Sequence, residues 1–349
     1  MKTKSVIGFS MGDPHGVGPE VLLKALSYNS LRSRLIPLIV GDFSYLRFVE
    51  KKVLPRKFRN SFRLFSLSQS EVIDFKRLDP NPKNIWVYDL KNIRLRNIRF
   101  GKVNADAGFV SGVYIKEAVS LALKNKIKAL VTAPINKESF LAGGWGEKFI
   151  GHTEMLANLC GVQDFALMLM TGQLKAVHVT SHIPLKNISR QIKAEKIISK
   201  IKLINNFFSK RSNKKVKIAV SGLNPHAGDG GILGGEEIKE IIPAISFCQR
   251  NGIDVEGPFS PDVIWPLVLN QKFDVGLAMY HDQGQIAVKL LGAINNNSKG
   301  PAGVNLTLGL PFIRTSPAHG TAFNIAGKGI ASELSMKEAI EAAVFYEKK

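Results

Sequence analysis

The chain has 349 residues, 45% of them hydrophobic and 22% charged, with a formal net charge of +20. That is the length of two globular domains with an ordinary folded composition. It holds no apolar run near the roughly 20 residues of a membrane span, and the short apolar stretch before Asp13 reads as a first strand rather than a secretory leader.

Strand-like and helix-like segments alternate from the start. KSVIGFS (4–10) reads as a strand, PEVLLKAL (19–26) as a helix with proline at its first position, and SRLIPLIVG (33–41) as a strand. Residues 42–100 are basic and irregular and resolve into no clear elements. SGVYIKEAVSLALKNK (111–126) is an amphipathic helix, followed by the strand KALVTAP (128–134). FALMLMT (165–171) and LKAVHVTS (174–181) read as adjacent strands. One long helix is expected over 189–210, a strand over 215–222, and helices over 236–250, 260–270 and 335–349. DVGLAMY is a buried strand that stops at His281 and Asp282, after which Gln283-Gly284 is expected to turn the chain. NNNSKG (295–300) is the one low-complexity piece and reads as a mobile loop. The alternation predicts an α/β protein with mostly parallel sheets.

The lysines behind the charge are scattered, as in KNKIK and SNKKVKIAV, with no arginine-rich arm, zinc finger or aromatic-basic alternation. They read as solvated faces that also steer small anions, and no nucleic-acid or membrane partner is expected. Cys160 and Cys248 make no metal or redox pattern, which fits reduced thiols in a cytoplasmic protein.

Three of the seven histidines share one placement. His182, His226 and His281 each follow a strand where Pro, Gly or Asp breaks the pattern. Ligands of open α/β sheets bind at the carboxyl ends of strands, so three imidazoles delivered there could hold one divalent metal and leave positions open. The alternative is three unrelated loop histidines, each hydrogen-bonded locally. Asp282, beside His281, could orient a metal ligand or a water. His178, inside LKAVHVTS, is expected to be a packed core histidine. His15 and His319 lie in glycine-rich turns, as functional or as exposed residues. GWGEKFIGHTEMLA places His152 and Thr153 directly before a helical run, either as an anion site or as a plain cap. HAGDGGILGGEE (226–237) turns tightly but matches neither GxGxxG nor a P-loop. VNLTLGLPFIRTSPAHGTAFNIAGKG (304–329) offers Asn305, Arg314 and Lys328, and Lys289 follows His281; each cation alone would read as a solvated side chain.

Seven motifs then occur in order: MGDPHGVGPE (11–20), TAPINK (132–137), GHTEML (151–156), TSHIPL (180–185), GLNPHAGDGG (222–231), AMYHDQGQIAVK (278–289) and VNLTLGLPFIRTSPAHGTA (304–322). Together, over nearly the whole chain, they resemble the 4-hydroxythreonine-4-phosphate dehydrogenase family of the vitamin B6 pathway. The resemblance implies an isocitrate and isopropylmalate dehydrogenase-like fold: two α/β/α domains with the active site in the cleft between them. The domains would be 1–130 plus 275–349, carrying both termini, and a middle domain 131–274 with dimer contacts. It implies His182, His226 and His281 as ligands of one divalent metal (Zn, Co, Mn or Mg), and His152, Thr153, Lys289, Asn305 and Arg314 as substrate contacts. HGTAFNIAGKG, with His319, Gly320, Thr321, Ala322 and Gly327, looks like the NAD-binding loop of that larger group, with NADP as the other choice. A homodimer sharing its active site between subunits follows. Two features depart from the pattern. His15 stands where a small residue is common, and the link from Lys289 to Asn305 is long and is expected to bulge at the surface.

The implied reaction is NAD-dependent oxidation of 4-phosphooxy-L-threonine to 2-amino-3-oxo-4-phosphooxybutanoate, which decarboxylates to 3-amino-2-oxopropyl phosphate. The substrate alternatives are phosphorylated threonate or erythronate, or a cyclic diol carboxylate. The alternative of another class is a basic nucleic-acid-binding or scaffold protein.

Overall fold

The computed structural model describes residues 4–68, 75, 78–146, 149, 151–211, 214–295 and 303–347. In chain order the elements begin β1 (Ser5–Ser10), α1 (Gly18–Leu26), α2 (Asn29–Arg32), β2 (Leu35–Gly41), α3 (Phe43–Phe48), β3 (Arg63–Ser68) and β4 (Asn84–Asp89). Next come α4 (Ala105–Leu123), β5 (Ala129–Thr132), α5 (Lys137–Phe140), α6 (His152–Leu159), β6 (Ala166–Thr171), β7 (Leu174–His178), α7 (Ile188–Gln191) and α8 (Ala194–Ser209). The chain continues through β8 (Ile218–Ser221), α9 (Ile242–Arg250), β9 (Val255–Phe259), α10 (Ile264–Leu269) and β10 (Val275–Ala278). It ends with α11 (His281–Asn295), β11 (Val304–Leu308), β12 (Ile313–Pro317) and α12 (Leu334–Glu347).

Two compact units result, one of residues 1–163, 299–304 and 310–348, the other of 164–298 and 305–309. The first and last elements, β1 and α12, both fall in the first unit. Its boundaries lie at 163/164 and 298/299 rather than at 130/131 and 274/275. Strand pairing explains the shift: β5 pairs with β1 and β12 of the first unit, whereas β10 pairs with β7 and β8 of the second.

In the first unit the strands run in the order β3-β4-β2-β1-β5-β12, with parallel pairings throughout. Parallel strands are buried on both faces and so read as unbroken apolar runs; β2 and β5 are buried at every residue. Helix α4 packs on β1, β2 and β5, and α12 on β5 and β12. In the second unit the order is β11-β6-β7-β10-β8-β9. β7, β10, β8 and β9 pair in parallel, while β6 and β7, expected as adjacent strands, pair antiparallel. Helix α11 covers β6, β7 and β10.

Several elements differ from expectation for identifiable reasons. α4 starts at Ala105, earlier than its apolar periodicity, because the Asn104 side chain accepts the Ala107 N–H at 2.9 Å and caps it. The helix expected over 189–210 breaks at Ile192, and α8 starts anew where the Glu240 carboxylate accepts the Ala194 N–H at 2.8 Å. The helix expected over 236–250 opens with a π-turn, Glu237–Ile241, ahead of Pro243, whose missing N–H cannot join a regular ladder. Gln283-Gly284 does not turn the chain: both lie in the first turn of α11. The expected loop 295–300 and the expected bulge over 291–303 lie outside the described residues, apart from the end of α11 and Gly303. No helix among the described residues is long and apolar enough to cross a membrane.

Candidate functional site

In the second unit, β7, β10 and β8 are successive parallel neighbours, so their carboxyl ends share one edge. β7 ends at His178 and leads to His182; β10 ends at Ala278 and leads to His281; β8 ends at Ser221 and leads to His226. The His182 and His281 rings are 5.6 Å apart, and His281 lies 5.8 Å from His178. A cavity of about 200 Å³ opens here, lined by Thr180, Ser181, His182, Tyr280, His281 and Asp282.

His281 Nδ1 lies 2.6 Å from Asp282 Oδ1. With Nδ1–H donated to the carboxylate, Nε2 keeps its lone pair for a ligand, the arrangement in which imidazoles bind metals. His182 sits at φ 51 and His226 at φ 52, in the left-handed region that costs a non-glycine residue about 1–2 kcal/mol. Beyond His226 the left-handed backbone continues through Ala227, Gly228, Asp229 and Gly230. That strained turn is held from below by Glu237, 2% exposed, whose Oε1 accepts the Leu223 and Asn224 N–H groups at 2.8 Å each. Its Oε2 accepts the Asn224 side-chain amide at 2.9 Å. Gln283 ties the two neighbouring strand ends together, accepting Met279 N–H at 2.6 Å and donating to the Gly222 carbonyl at 2.8 Å.

The donor chemistry of this edge suits a divalent metal, with two imidazoles adjacent and one oriented by a carboxylate. Among the described residues, however, no group of three or more His, Cys, Asp or Glu side chains closes around one point. His178 is the packed histidine expected, 3% exposed, and burial, followed by the neighbouring His281, pushes it down to about 4.

The first unit carries a second constellation. Arg314, on β12 and 2% exposed, donates through Nε and Nη2 to Thr132 Oγ1 at 3.1 and 2.6 Å. Burial lowers it to about 10, which leaves it charged at neutral pH. His152 is the first residue of α6, and its enclosed Nε2 has no hydrogen-bond partner among the described residues. Burial, then the Arg314 charge, holds His152 well below its ordinary value, so it is neutral. The cap of α6 is Gly151, not Thr153, and has no side chain to satisfy the first-turn N–H groups. A helix start beside a buried guanidinium is suited to a phosphate or carboxylate.

Of the remaining substrate candidates, Lys289 is exposed on α11 and Asn305 half-buried on β11, both in the second unit. The cofactor candidates lie in the first unit after β12. The Val17 N–H donates to the Thr321 carbonyl at 3.0 Å, His319 Nδ1 lies 2.8 Å from the Gly320 carbonyl, Ala322 is left-handed and Gly327 has φ 80. A larger cavity of about 340 Å³ in the same unit has Pro14, His15, Arg94 and Asp106 in its wall. His15 is buried rather than exposed: Nδ1 lies 3.0 Å from the Lys102 carbonyl, and Nε2 accepts the Arg99 N–H at 3.3 Å.

Sequence reasoning missed Thr132, Glu237 and Asp13 as individual residues. Thr132 opens TAPINK and Asp13 lies in GDPHG, so their motifs were visible. Asp13 is fully buried, accepts the His15 N–H at 2.8 Å, and is raised by that burial. Glu237 had no signal beyond an acidic pair after glycines, because its partners are backbone amides brought near only by folding.

Comparison with known proteins gives a consistent result. The family model described as "Pyridoxal phosphate biosynthetic protein PdxA" matches residues 35–343. The chain is 42% identical to D-threonate 4-phosphate dehydrogenase of Cupriavidus necator, over 96% of this chain and 95% of that protein. It is 39% identical to 4-hydroxythreonine-4-phosphate dehydrogenase of a Sulfurihydrogenibium species, over 97% of each. The crystal structure of 4-hydroxythreonine-4-phosphate dehydrogenase from Klebsiella pneumoniae superposes with a TM-score of 0.87 at 36% identity, covering 99% of both chains.

Proposed function

Because the chain belongs to the PdxA family of pyridoxal phosphate biosynthetic proteins, we propose that it is a dehydrogenase that oxidises 4-phosphooxy-L-threonine to 2-amino-3-oxo-4-phosphooxybutanoate. That product decarboxylates to 3-amino-2-oxopropyl phosphate, since a ketone β to a carboxylate delocalises the developing carbanion. The observation that carries the reading is the family match over nearly the whole chain, joined to a buried Arg314 beside a neutral His152 at a helix start.

Each group has a role that its surroundings favour. Arg314, already desolvated, gives charge-assisted bonds to an anionic end of the substrate, with the N–H groups of His152 and Thr153 and the side chains of Lys289 and Asn305 as further contacts. His182, His226 and His281 are the proposed metal ligands. Their support is the common strand edge and the Asp282 carboxylate on His281. When bound, the divalent ion (Zn, Co, Mn or Mg) supplies Lewis acidity for ionising the substrate hydroxyl, and the nicotinamide of NAD or NADP supplies the hydride acceptor. Gln283 and Glu237 hold the strand ends and the His226 turn in place. His319, Gly320, Thr321, Ala322 and Gly327 are the proposed cofactor contacts.

A homodimer working in the cytoplasm is part of the proposal. Helix α11 shows an apolar stripe, Ile286, Leu290 and Ile294, exposed at 66%, 61% and 63%. Residues spaced by four share one helix face, and an apolar face of this kind suits a second copy. Light scattering at assay concentration should give twice the chain mass; a fully active monomer would refute the dimer.

A second reading, D-threonate 4-phosphate as substrate, is favoured by the name of the Cupriavidus necator relative. The two substrates differ at C2, amine against hydroxyl. Reduced nicotinamide formation with each, with and without added metal after chelation, tests the proposal. Turnover of 4-phosphooxy-L-threonine that chelator abolishes and metal restores is expected. Turnover of D-threonate 4-phosphate alone would move the assignment to the second reading, and turnover of neither would refute both.

A further inference from the structure

Two buried charged residues one turn apart on α1 take no part in the chemistry above. Glu20 is fully buried and Lys24 is 3% exposed. Glu20 accepts the Gly327 N–H through Oε1 and the Gly329 N–H through Oε2, the latter at 3.1 Å. Lys24 Nζ donates to the carbonyls of Gly329 and Ala331 at 2.7 and 2.6 Å. All four bonds end on the backbone of one segment, which follows β12 and contains HGTAFNIAGKG.

The rest of α1's surroundings grips the same segment. The Val17 N–H holds the Thr321 carbonyl at 3.0 Å. A side chain at Gly101 would meet the Phe323 carbonyl at 2.3 Å, and one at Gly327 would meet the Phe100 ring at 2.5 Å. His15 in turn fixes the turn that carries Phe100 and Gly101, its carbonyl accepting the Gly101 N–H at 2.8 Å. Facing away from these contacts, Gly320, Asn324, Lys328 and Ile330 are exposed.

Charged side chains are almost never this buried unless paired, and a buried pair is often no more stabilising than apolar residues of the same volume. What apolar residues could not do is satisfy two N–H and two C=O groups of a loop with almost no regular structure. The return on burying Glu20 and Lys24 is therefore a single backbone path. Burial pushes Glu20 up and Lys24 down, while each charge favours the ionised form of the other.

We propose that Glu20 and Lys24 are positioning residues for the nicotinamide cofactor, holding residues 319–331 in their binding shape before the cofactor arrives. The inference rests on the assignment of His319–Gly327 to the cofactor. A loop ordered in advance spares the dinucleotide the entropy of ordering it, so the clamp should appear in cofactor affinity and not in recognition of the phosphorylated substrate.

The test uses intact protein and three variants. Lys24→Met keeps side-chain bulk and loses two bonds to the loop. Glu20→Gln keeps shape and loses the charge. Arg32→Met is the control: Arg32 is equally buried and donates to the carbonyls of Leu26, Ser61 and Pro82, none of them in the segment. Hydrogen–deuterium exchange reads the amides of 320–331, fluorescence titration gives the dissociation constants of NADH and NADPH, and kinetics gives KM for the phosphorylated substrate. Lys24→Met should speed exchange in 320–331 and weaken the preferred cofactor roughly 10- to 100-fold, the loss expected for charge-assisted bonds. Substrate KM should stay within about twofold by the same reasoning. Glu20→Gln should act in the same direction by a smaller factor, and it carries the test if Lys24→Met does not fold. Arg32→Met should lower the unfolding temperature and leave both loop exchange and cofactor affinity at wild-type values. Unchanged exchange in 320–331 would refute the clamp. Faster exchange with unchanged cofactor affinity would refute its tie to the cofactor. Wild-type protein that binds neither nucleotide would overturn the cofactor assignment itself and this proposal with it, whereas the exchange data would still report on the clamp.

Discussion

Replacing Arg314 with methionine separates charge from bulk at the proposed anion contact. Arg314 is 2% exposed and donates two N–H groups to Thr132 Oγ1. The substitution has two effects that can be read apart. Leaving the buried Thr132 hydroxyl without these donors should cost about 1–3 kcal/mol of stability. Losing a charge-assisted bond to the substrate should cost about 1.5–3 kcal/mol in the transition-state complex, or roughly 10- to 150-fold in kcat/KM. Thr132→Val breaks the same two bonds from the other side while keeping the guanidinium, so it reads their structural cost apart from the loss of charge, and kcat/KM should fall less than about tenfold. Arg314→Lys should recover only part of the loss, because a point charge cannot reproduce the planar fork. The assay is steady-state kinetics at saturating cofactor, well below each variant's unfolding temperature, with NADH titration alongside. An Arg314→Met protein with kcat/KM within about threefold of wild type would refute the role. So would a collapse of NADH affinity with the substrate term untouched.

Three further outcomes follow from the same geometry. His152 is held neutral by burial and then by Arg314, so below about pH 6.5, its unfolded value, the unfolded chain binds a proton that the folded chain refuses. Its contribution is complete above that pH and falls by up to about 1.4 kcal/mol per pH unit as pH drops toward the folded value; urea unfolding of wild type and His152→Gln should converge on acidification, and parallel curves would refute it. Gly284→Ala places a methyl 2.7 Å from His178 Nε2 and 3.1 Å from Ala176 Cβ, so despite a helix-propensity gain of about 1 kcal/mol it should destabilise by about 1–3 kcal/mol of overpacking; a stabilised variant in urea titration would show that the His178 ring yields. Glu237→Gln should loosen the left-handed turn at His226 and weaken metal retention by roughly 10-fold or more, the scale of groups that orient ligands, measured by competition with a chelator dye; unchanged retention would remove His226 from the site.

Wherever side chains follow a local period, the sequence alone determined the outcome. β1, β2, β5 and β10 are buried on both faces, and an unbroken apolar run such as LIPLIVG announces that without tertiary help. The strand-end placement of His182, His226 and His281 was legible for the same reason, as was the packed state of His178 within its strand. The seven ordered motifs carried the family. What the sequence could not decide depends on partners distant along the chain. Gly284 looks like a turn residue, yet it lies in a helix, at a point where the His178 ring leaves no room for a Cβ. Glu240 and Glu237 read as ordinary acidic residues until folding sets them against the N–H groups of Ala194 and Asn224. The unit boundaries moved because β5 and β10 are claimed by strands far away in sequence. Glu20 and Lys24 drew no notice within the helix 19–26; the return of residues 327–331 to α1 gives them their backbone partners. Local preference is written in neighbouring side chains, whereas hydrogen-bond satisfaction of a buried backbone is a property of the whole chain.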